Sequence, residues 1–311
     1  MPRTSFQRLA IAATVVTYLL IAVGGLVRAS GAGLGCPDWP RCFGSWVPPA
    51  SAADLPPQFD ASQFNPTLMW TEYLNRLLGV AVGLVILAAT VSAWRHHRRD
   101  AWVLWPVVAA VLLTGFQGWL GGRVVAHELA AWIVTVHMLV ALVIVSLLLI
   151  AVLESMTPPA GVAGGPPLRR RVAWVTVAVI ALTLLQVGVG TQVRGQVDAA
   201  LDAAVPRADA LDTVGPLDTT HRELAAVTGL AILGLWAVVL LRQPDDLALT
   251  RAAHLSLAAT AAQIALGMAL TATLPPTAQV LHLTVASLLL GALTATAFIA
   301  WRWPAPAAAR S

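Results

Sequence analysis

Apolar residues in this chain fall into eight long runs, each broken off by a short polar stretch, with approximate limits 8–28, 69–93, 102–122, 131–153, 172–194, 220–241, 252–272 and 279–301. About 20 consecutive apolar residues are enough for a helix to cross a bilayer. The pattern therefore predicts an all-α integral membrane protein with eight transmembrane helices. The first run, Leu9 to Val27, is longer than the apolar stretch of a signal peptide and is expected to be retained.

Composition agrees with the pattern. The chain is 58% hydrophobic and 11% charged, against roughly 25% charged in soluble domains, and its mean hydropathy is +0.76. The basic residues are spread over short segments between apolar runs and form no single face, so a nucleic-acid partner is not expected. Their distribution sets orientation by the positive-inside rule. With eight spans, Arg3 and Arg8, Arg95, Arg98 and Arg99, Arg169 to Arg171, Arg242 and Arg251, and Arg302 and Arg310 all fall on one side. Both termini are then cytoplasmic. The opposite segments carry Asp38, Asp54 and Asp60, and further on Asp198, Asp202, Asp209 and Asp212. Tryptophans mark both boundaries, Trp70 and Trp132 on the outer side and Trp94, Trp102, Trp174, Trp301 and Trp303 on the inner. Cys36 and Cys42 lie in an outer polar loop, where a disulfide can persist. A loop staple and a redox role are equally open readings of that pair.

The polar residues repeat. Asn75 and His221 are 146 residues apart, as are Gln117 and Gln263, while His137 and His282 are 145 apart. The words around them agree, QGWLG (117–121) with QIALG (263–267) and HMLVA (137–141) with HLTVA (282–286). GGLVR ending at Arg28 likewise answers GTQVR ending at Arg194. Four spans per half is an even number, so the two halves point the same way across the membrane. The expected architecture is two parallel-repeat four-helix bundles, 1–155 and 172–311, joined by a Pro/Gly-rich cytoplasmic linker at 156–171.

Charge and imidazole inside a bilayer are costly and tend to mark function. His221 and His282 lie at matched depth on different spans, the arrangement a bis-imidazole haem needs. A lone histidine would read as a hydrogen-bonded core residue; the repeated pair shifts the balance toward iron. Zinc fits less well, because no cluster of further ligands accompanies the pair. In the first half His137 keeps its place while Asn75 stands where the other ligand would be, so that site offers one strong axial bond. Glu72, three residues before Asn75, can face the same pocket and act as proton acceptor or cation stabiliser. Its plainer reading is a carboxylate complementing a helix N-terminus. Arg28, Arg76, Arg194 and Arg222 ring the same outer level, as partners for haem propionates or as snorkelling cations. His96 and His97 lie in the basic cytoplasmic loop, His127 and His254 lack repeat counterparts, and none of the four is expected to bind iron.

GGLVRASGAGLGCPDWPRCFGSWVPP (24–49), EYLNR (72–76), HMLVA (137–141), TQVR (191–194), HRELA (221–225) and LHLTVA (281–286) together resemble the haem A synthase family over essentially the whole chain. The resemblance implies a bacterial cytoplasmic-membrane enzyme that oxidises the C8 methyl of haem O to a formyl group, giving haem A for terminal oxidases. It implies a haem b cofactor on His221 and His282, with substrate haem O in the first half on His137 and Glu72 as the carboxylate needed for activity. Cys36 and Cys42 match the family's outer-loop pair, which can form a disulfide. As partners it leaves room for a haem O synthase, an electron acceptor of the quinone or thiol type, and a second copy of the chain. Asn75 departs from the pattern, which has His there. Retention of Glu72, Arg76, His137 and both cysteines favours a first half that holds haem O through His137 alone.

Two other classes compete. An electron-transferring di-haem cytochrome b would need the histidine pair, yet would gain nothing from a one-handed site with a carboxylate. A transporter built on parallel repeats predicts broken helices near the midplane, whereas the distinctive polar residues here collect near the outer boundary.

Overall fold

Helix starts are set by local chemistry that the sequence carries openly. Thr4 accepts from the Gln7 backbone N–H at 3.2 Å while the Gln7 side chain accepts from the Thr4 N–H at 3.0 Å, a reciprocal cap that begins the first helix. Asn65 and Asp100 cap the second and third helices, and Asp246 caps the seventh. Pro66, Pro216 and Pro276 open their helices at the position where a missing N–H costs nothing.

The computed structural model describes residues 3–156 and 167–304. Its helices are α1 (Ser5–Ala29), α2 (Pro66–His96), α3 (Ala101–Ala126), α4 (Ala131–Ser155), α5 (Pro167–Asp202), α6 (Pro216–Arg242), α7 (Leu247–Thr273) and α8 (Pro276–Arg302). All eight are long and apolar enough to cross a membrane, so the chain is a multi-pass membrane protein.

α1 packs on α2, α2 on α3, α3 on α4, and α1 closes on α4; α5 to α8 are connected in the same order, with α5 closing on α8. Consequently α2 and α4 stand on one diagonal and α6 and α8 on another. Contacts of α1 with α8, and of α4 with α5 and α8, join the two rings. Each ring has its own core, Phe6, Val82, Ile86, Val103 and Leu148 in the first and Ile232, Val239, Leu249 and Leu293 in the second. A further cluster of Ile21, Met138, Leu142, Val145 and Leu290 fills the seam. Lipid is as apolar as leucine, so association depends on close packing at small residues, and Ala10, Ala13, Ala89, Ala93 and Ala110 are fully buried. Most buried hydroxyls are satisfied within their own helices, as when Thr17 donates to Ala13 O and Thr176 to Val172 O, both at 2.7 Å, while Thr228 Oγ1 is buried without a partner.

Three sequence expectations change. The fifth span does not stop at 194: α5 continues to Asp202, because Val193, Val197 and Ala200 recur at helical spacing and pack against Ala210, Val214 and Leu274. Asp198 and Asp202 are therefore helical residues and not loop acids. Of the linker expected at 156–171, residues 157–166 lie outside the described residues and 167–171 form the start of α5. Arg169, expected among solvated cytoplasmic arginines, is 1% exposed and lies 3.3 Å from the Asp246 carboxylate, with its Nη2 donating to Ile299 O at 2.7 Å. It ties together the ends of α5, α7 and α8.

Candidate functional site

In the second ring, His221 lies on α6 and His282 on α8, the two helices of one diagonal. Each is held from behind. Gln186 on α5 places its Nε2 3.1 Å from His221 Nδ1 and 2.8 Å from the His221 carbonyl. Gln263 on α7 donates to the His282 carbonyl at 2.9 Å, and His282 Nδ1 is enclosed without a hydrogen-bond partner. The Gln186 contact fixes the His221 ring, and the bonds to the two carbonyls fix the backbone from which both imidazoles extend. A Cβ at Gly190 would stand 2.7 Å from His221 Cε1, so α5 approaches the ring where only glycine leaves room. Two fixed imidazoles across a bundle interior fit a haem held by both axial positions.

The first ring repeats part of this. Gln117 on α3 donates to the His137 carbonyl at 3.0 Å, and His137 Nδ1 is likewise enclosed and unpartnered. Across the diagonal stands Asn75 on α2, whose Oδ1 is buried without a partner. The position matching Gly190 is Gly24, and a Cβ there would meet nothing within 4 Å. Leu20 occupies the place of Gln186 and brings no side-chain hydrogen-bond donor. This ring therefore presents one imidazole opposite a short amide.

Glu72 and Arg76 turn elsewhere. The Glu72 carboxylate is buried; its Oε2 accepts the Cys36 N–H at 2.7 Å and its Oε1 pairs with Arg76. Arg76 also donates to the carbonyls of Asp38 and Arg41 at 2.8 Å and of Cys36 at 3.2 Å, and its guanidinium lies 4.9 Å from the Trp39 ring centre. The expectation that Glu72 faces the Asn75 pocket is corrected on this point. Residues three apart diverge by about 60° around a helix, enough for the returning loop to capture the carboxylate. That loop is closed by a Cys36–Cys42 disulfide whose two residues are fully buried with Phe43 and Met69. Arg76 is bound to the loop, so its donors do not face the pocket as propionate partners would.

The other three arginines expected at the outer level, Arg28, Arg194 and Arg222, also have protein partners. Arg28 on α1 and Arg194 on α5 share Asp198, at 2.9 and 2.5 Å, and Arg194 donates to Gln279 Oε1 on α8 at 2.7 Å. Arg222 pairs with Asp218 near the start of α6. His96, His127 and His254 each hold a carbonyl of their own helix through Nδ1, and the His97 ring lies 4.9 Å from that of Phe6. Sequence reasoning missed Gln186 and Asp198. Gln186 has no counterpart in the repeat, and Asp198 was assigned to a loop; only the 3.6-residue spacing of Val193, Val197 and Ala200 signalled the longer helix.

Over 144 residues the chain is 34% identical to a protein named Heme A synthase from Shewanella oneidensis, covering 45% of this chain and 43% of that protein. Over 201 residues it is 32% identical to a Heme A synthase from Methylorubrum extorquens, covering 58% and 52%. Over 124 residues it is 32% identical to one from Geobacillus kaustophilus, covering 40% and 34%. The matched segments thus span about half or less of these relatives' own lengths. Residues 7–294 match the family described as cytochrome oxidase assembly protein (COX15-CtaA). With histidines on diagonal helices of one ring, a histidine and an amide on those of the other, and a family match running from α1 into α8, the chain belongs to the cytochrome oxidase assembly protein family.

Proposed function

We propose that this protein is a haem A synthase, oxidising the C8 methyl of substrate haem O to a formyl group. The observation that carries the reading is the asymmetry between the rings, His221 opposite His282 in one and His137 opposite Asn75 in the other. A saturated site suits electron transfer, and a one-handed site suits a haem that is itself the reactant.

In this reading the two rings are parallel repeats. The matched bonds from Gln117 to His137 and from Gln263 to His282 support that relation. Residues 1–155 hold haem O and residues 172–311 hold haem b, with the linker at 156–171 between them. His221 and His282 would hold haem b, which would supply a one-electron carrier. His137 anchors haem O from α4, and Asn75 leaves the opposite face to small molecules. The substrate methyl gains two hydroxyl groups from water, each addition releasing two protons and two electrons, and the resulting geminal diol loses one water to give the aldehyde. The conversion removes four electrons, which an acceptor of the quinone or thiol class receives. Glu72 acts through Arg76 and the Cys36–Cys42 loop, fixing the outer end of α2 and excluding water from the ring beneath it. The Arg28–Asp198–Arg194 bridge spans α1 and α5 and holds the rings in register at the same level.

In this reading both termini lie in the cytoplasm of a bacterial cell and the disulfide loop on the outer face of its membrane, which the distribution of basic segments supports. This reading leaves room for a haem O synthase that delivers substrate and for a second copy of the chain as protein partners. The test is expression in a host that makes haem O but lacks its own haem A synthase, followed by chromatography of the extracted haems. Haem A that appears with the wild type and is lost with Glu72→Ala supports the proposal. Haem B and unreacted haem O from a folded, haem-loaded protein would favour the electron-carrying cytochrome b.

A further inference from the structure

Most arginines near the helix ends are engaged by protein carboxylates or carbonyls: Arg28, Arg76, Arg169, Arg194, Arg222 and Arg302 all have such partners. Arg95, Arg98 and Arg99 differ. They are exposed, and among the described residues none has a carboxylate partner within ion-pair distance. With His96, His97, Asp100 and Glu154 they line a cleft of about 790 Å³ where α2 turns into α3. Its two acids are occupied, Asp100 in capping the Trp102 N–H and Glu154 in pairing with Arg302 at 2.5 Å. The cleft is left with a net positive charge. Trp94 and Trp102, 60% and 46% exposed, flank it at the level where interfacial aromatics sit.

A second cavity of about 490 Å³ continues from the first and shares Arg95 and His96 with it. It is lined by Leu9 of α1 and by Leu84, Leu87, Ala88, Val91 and Ser92 of α2. From Arg95 to Leu84 the groove descends about 16 Å at the helical rise, close to half of a roughly 30 Å hydrocarbon core. A cationic, arginine-forked cleft opening directly into an apolar groove one leaflet deep has the shape of a single amphiphile. We infer that this end of α1–α2–α3 is a binding site for an anionic phospholipid. The phosphate is held by Arg95, Arg98 and Arg99, and an acyl chain lies along Leu84, Leu87 and Val91. Guanidinium forks suit phosphate oxygens, and basic pockets at the cytoplasmic ends of transmembrane helices draw anionic headgroups. The site lies at the opposite end of α2 from Asn75 and Glu72, so it is separate from the haem-facing residues.

The test is native mass spectrometry of the full chain released from nanodiscs of phosphatidylglycerol or of phosphatidylcholine, with inorganic phosphate as a third arm. The wild type should retain about one phosphatidylglycerol per chain through delipidation and shed phosphatidylcholine. Removing the arginines singly as Arg95→Gln, Arg98→Gln and Arg99→Gln should weaken retention about fivefold each. Ala88→Trp, which fills the groove and leaves every arginine in place, should weaken it as well. Equal retention of both lipids would overturn the inference, as would an Arg95→Gln/Arg98→Gln/Arg99→Gln protein that is folded and still holds phosphatidylglycerol like the wild type. Displacement of the lipid by millimolar inorganic phosphate, or an Ala88→Trp protein with unchanged retention, would show a bare phosphate site and overturn it too.

Discussion

Gly190→Ala tests the second ring at the point of closest approach between backbone and imidazole. The added methyl would sit 2.7 Å from His221 Cε1 and 3.3 Å from its Nδ1. Carbon atoms settle at about 3.5–4.0 Å, so the ring or α5 has to yield by about 1 Å. The ring cannot turn aside freely, because Gln186 holds it at both Nδ1 and the backbone carbonyl. Overpacking of this kind costs about 1–3 kcal/mol, equivalent to about 5- to 150-fold weaker retention of a haem that needs His221 in place. The assay is haem content per chain by pyridine haemochromogen, together with the low-spin electron paramagnetic resonance signal. Gly190→Ala should lose that signal and much of one haem. Gly24→Ala, where the same methyl meets nothing within 4 Å, serves as the matched control and should keep both. Full low-spin haem in Gly190→Ala, at wild-type stoichiometry, would refute the assignment of His221 as an axial ligand.

Asn75→His should supply the missing imidazole and convert the first-ring haem from high to low spin in magnetic circular dichroism, and an unchanged spectrum would show that position 75 does not face that haem. Glu72→Ala leaves Arg76 as a buried cation among loop carbonyls, and breaking a buried pair costs about 3–5 kcal/mol; the disulfide of this variant should become reducible at far lower reductant, read by alkylation of Cys36 and Cys42. If its reduction profile matched the wild type, the carboxylate would not be the latch of that loop. Asp198→Asn removes a shared partner of Arg28 and Arg194, but the carboxylate is 32% exposed. At roughly 1 kcal/mol or less, this change should lower the thermal midpoint in detergent only slightly. Gln263→Leu should weaken the second-ring haem by about 0.5–1.5 kcal/mol, the worth of one hydrogen bond to the His282 carbonyl, and shift its midpoint potential measurably.

Hydrophobic runs, caps and charge distribution determined much of this protein without any tertiary information. Eight apolar segments bounded by Asn65, Asp100, Asp246 and the opening prolines leave few alternatives to eight helices, because a backbone in lipid must bond to itself. Duplicated words at a fixed interval likewise set His137 beside His282, and Asn75 beside His221, as expected counterparts. Directions of side chains were not legible in the order of residues. Whether Glu72 joins Asn75 or the cysteine loop depends on about 60° of helix rotation and on where a loop 36 residues earlier in the chain returns to donate an N–H. The depth of Arg169, the sharing of Asp198 by two arginines, and the Gln186 hold on His221 are all contacts between helices far apart in sequence. Periodicity fixes which face of a helix is buried, and only the packing of one helix on another decides which partner that face meets.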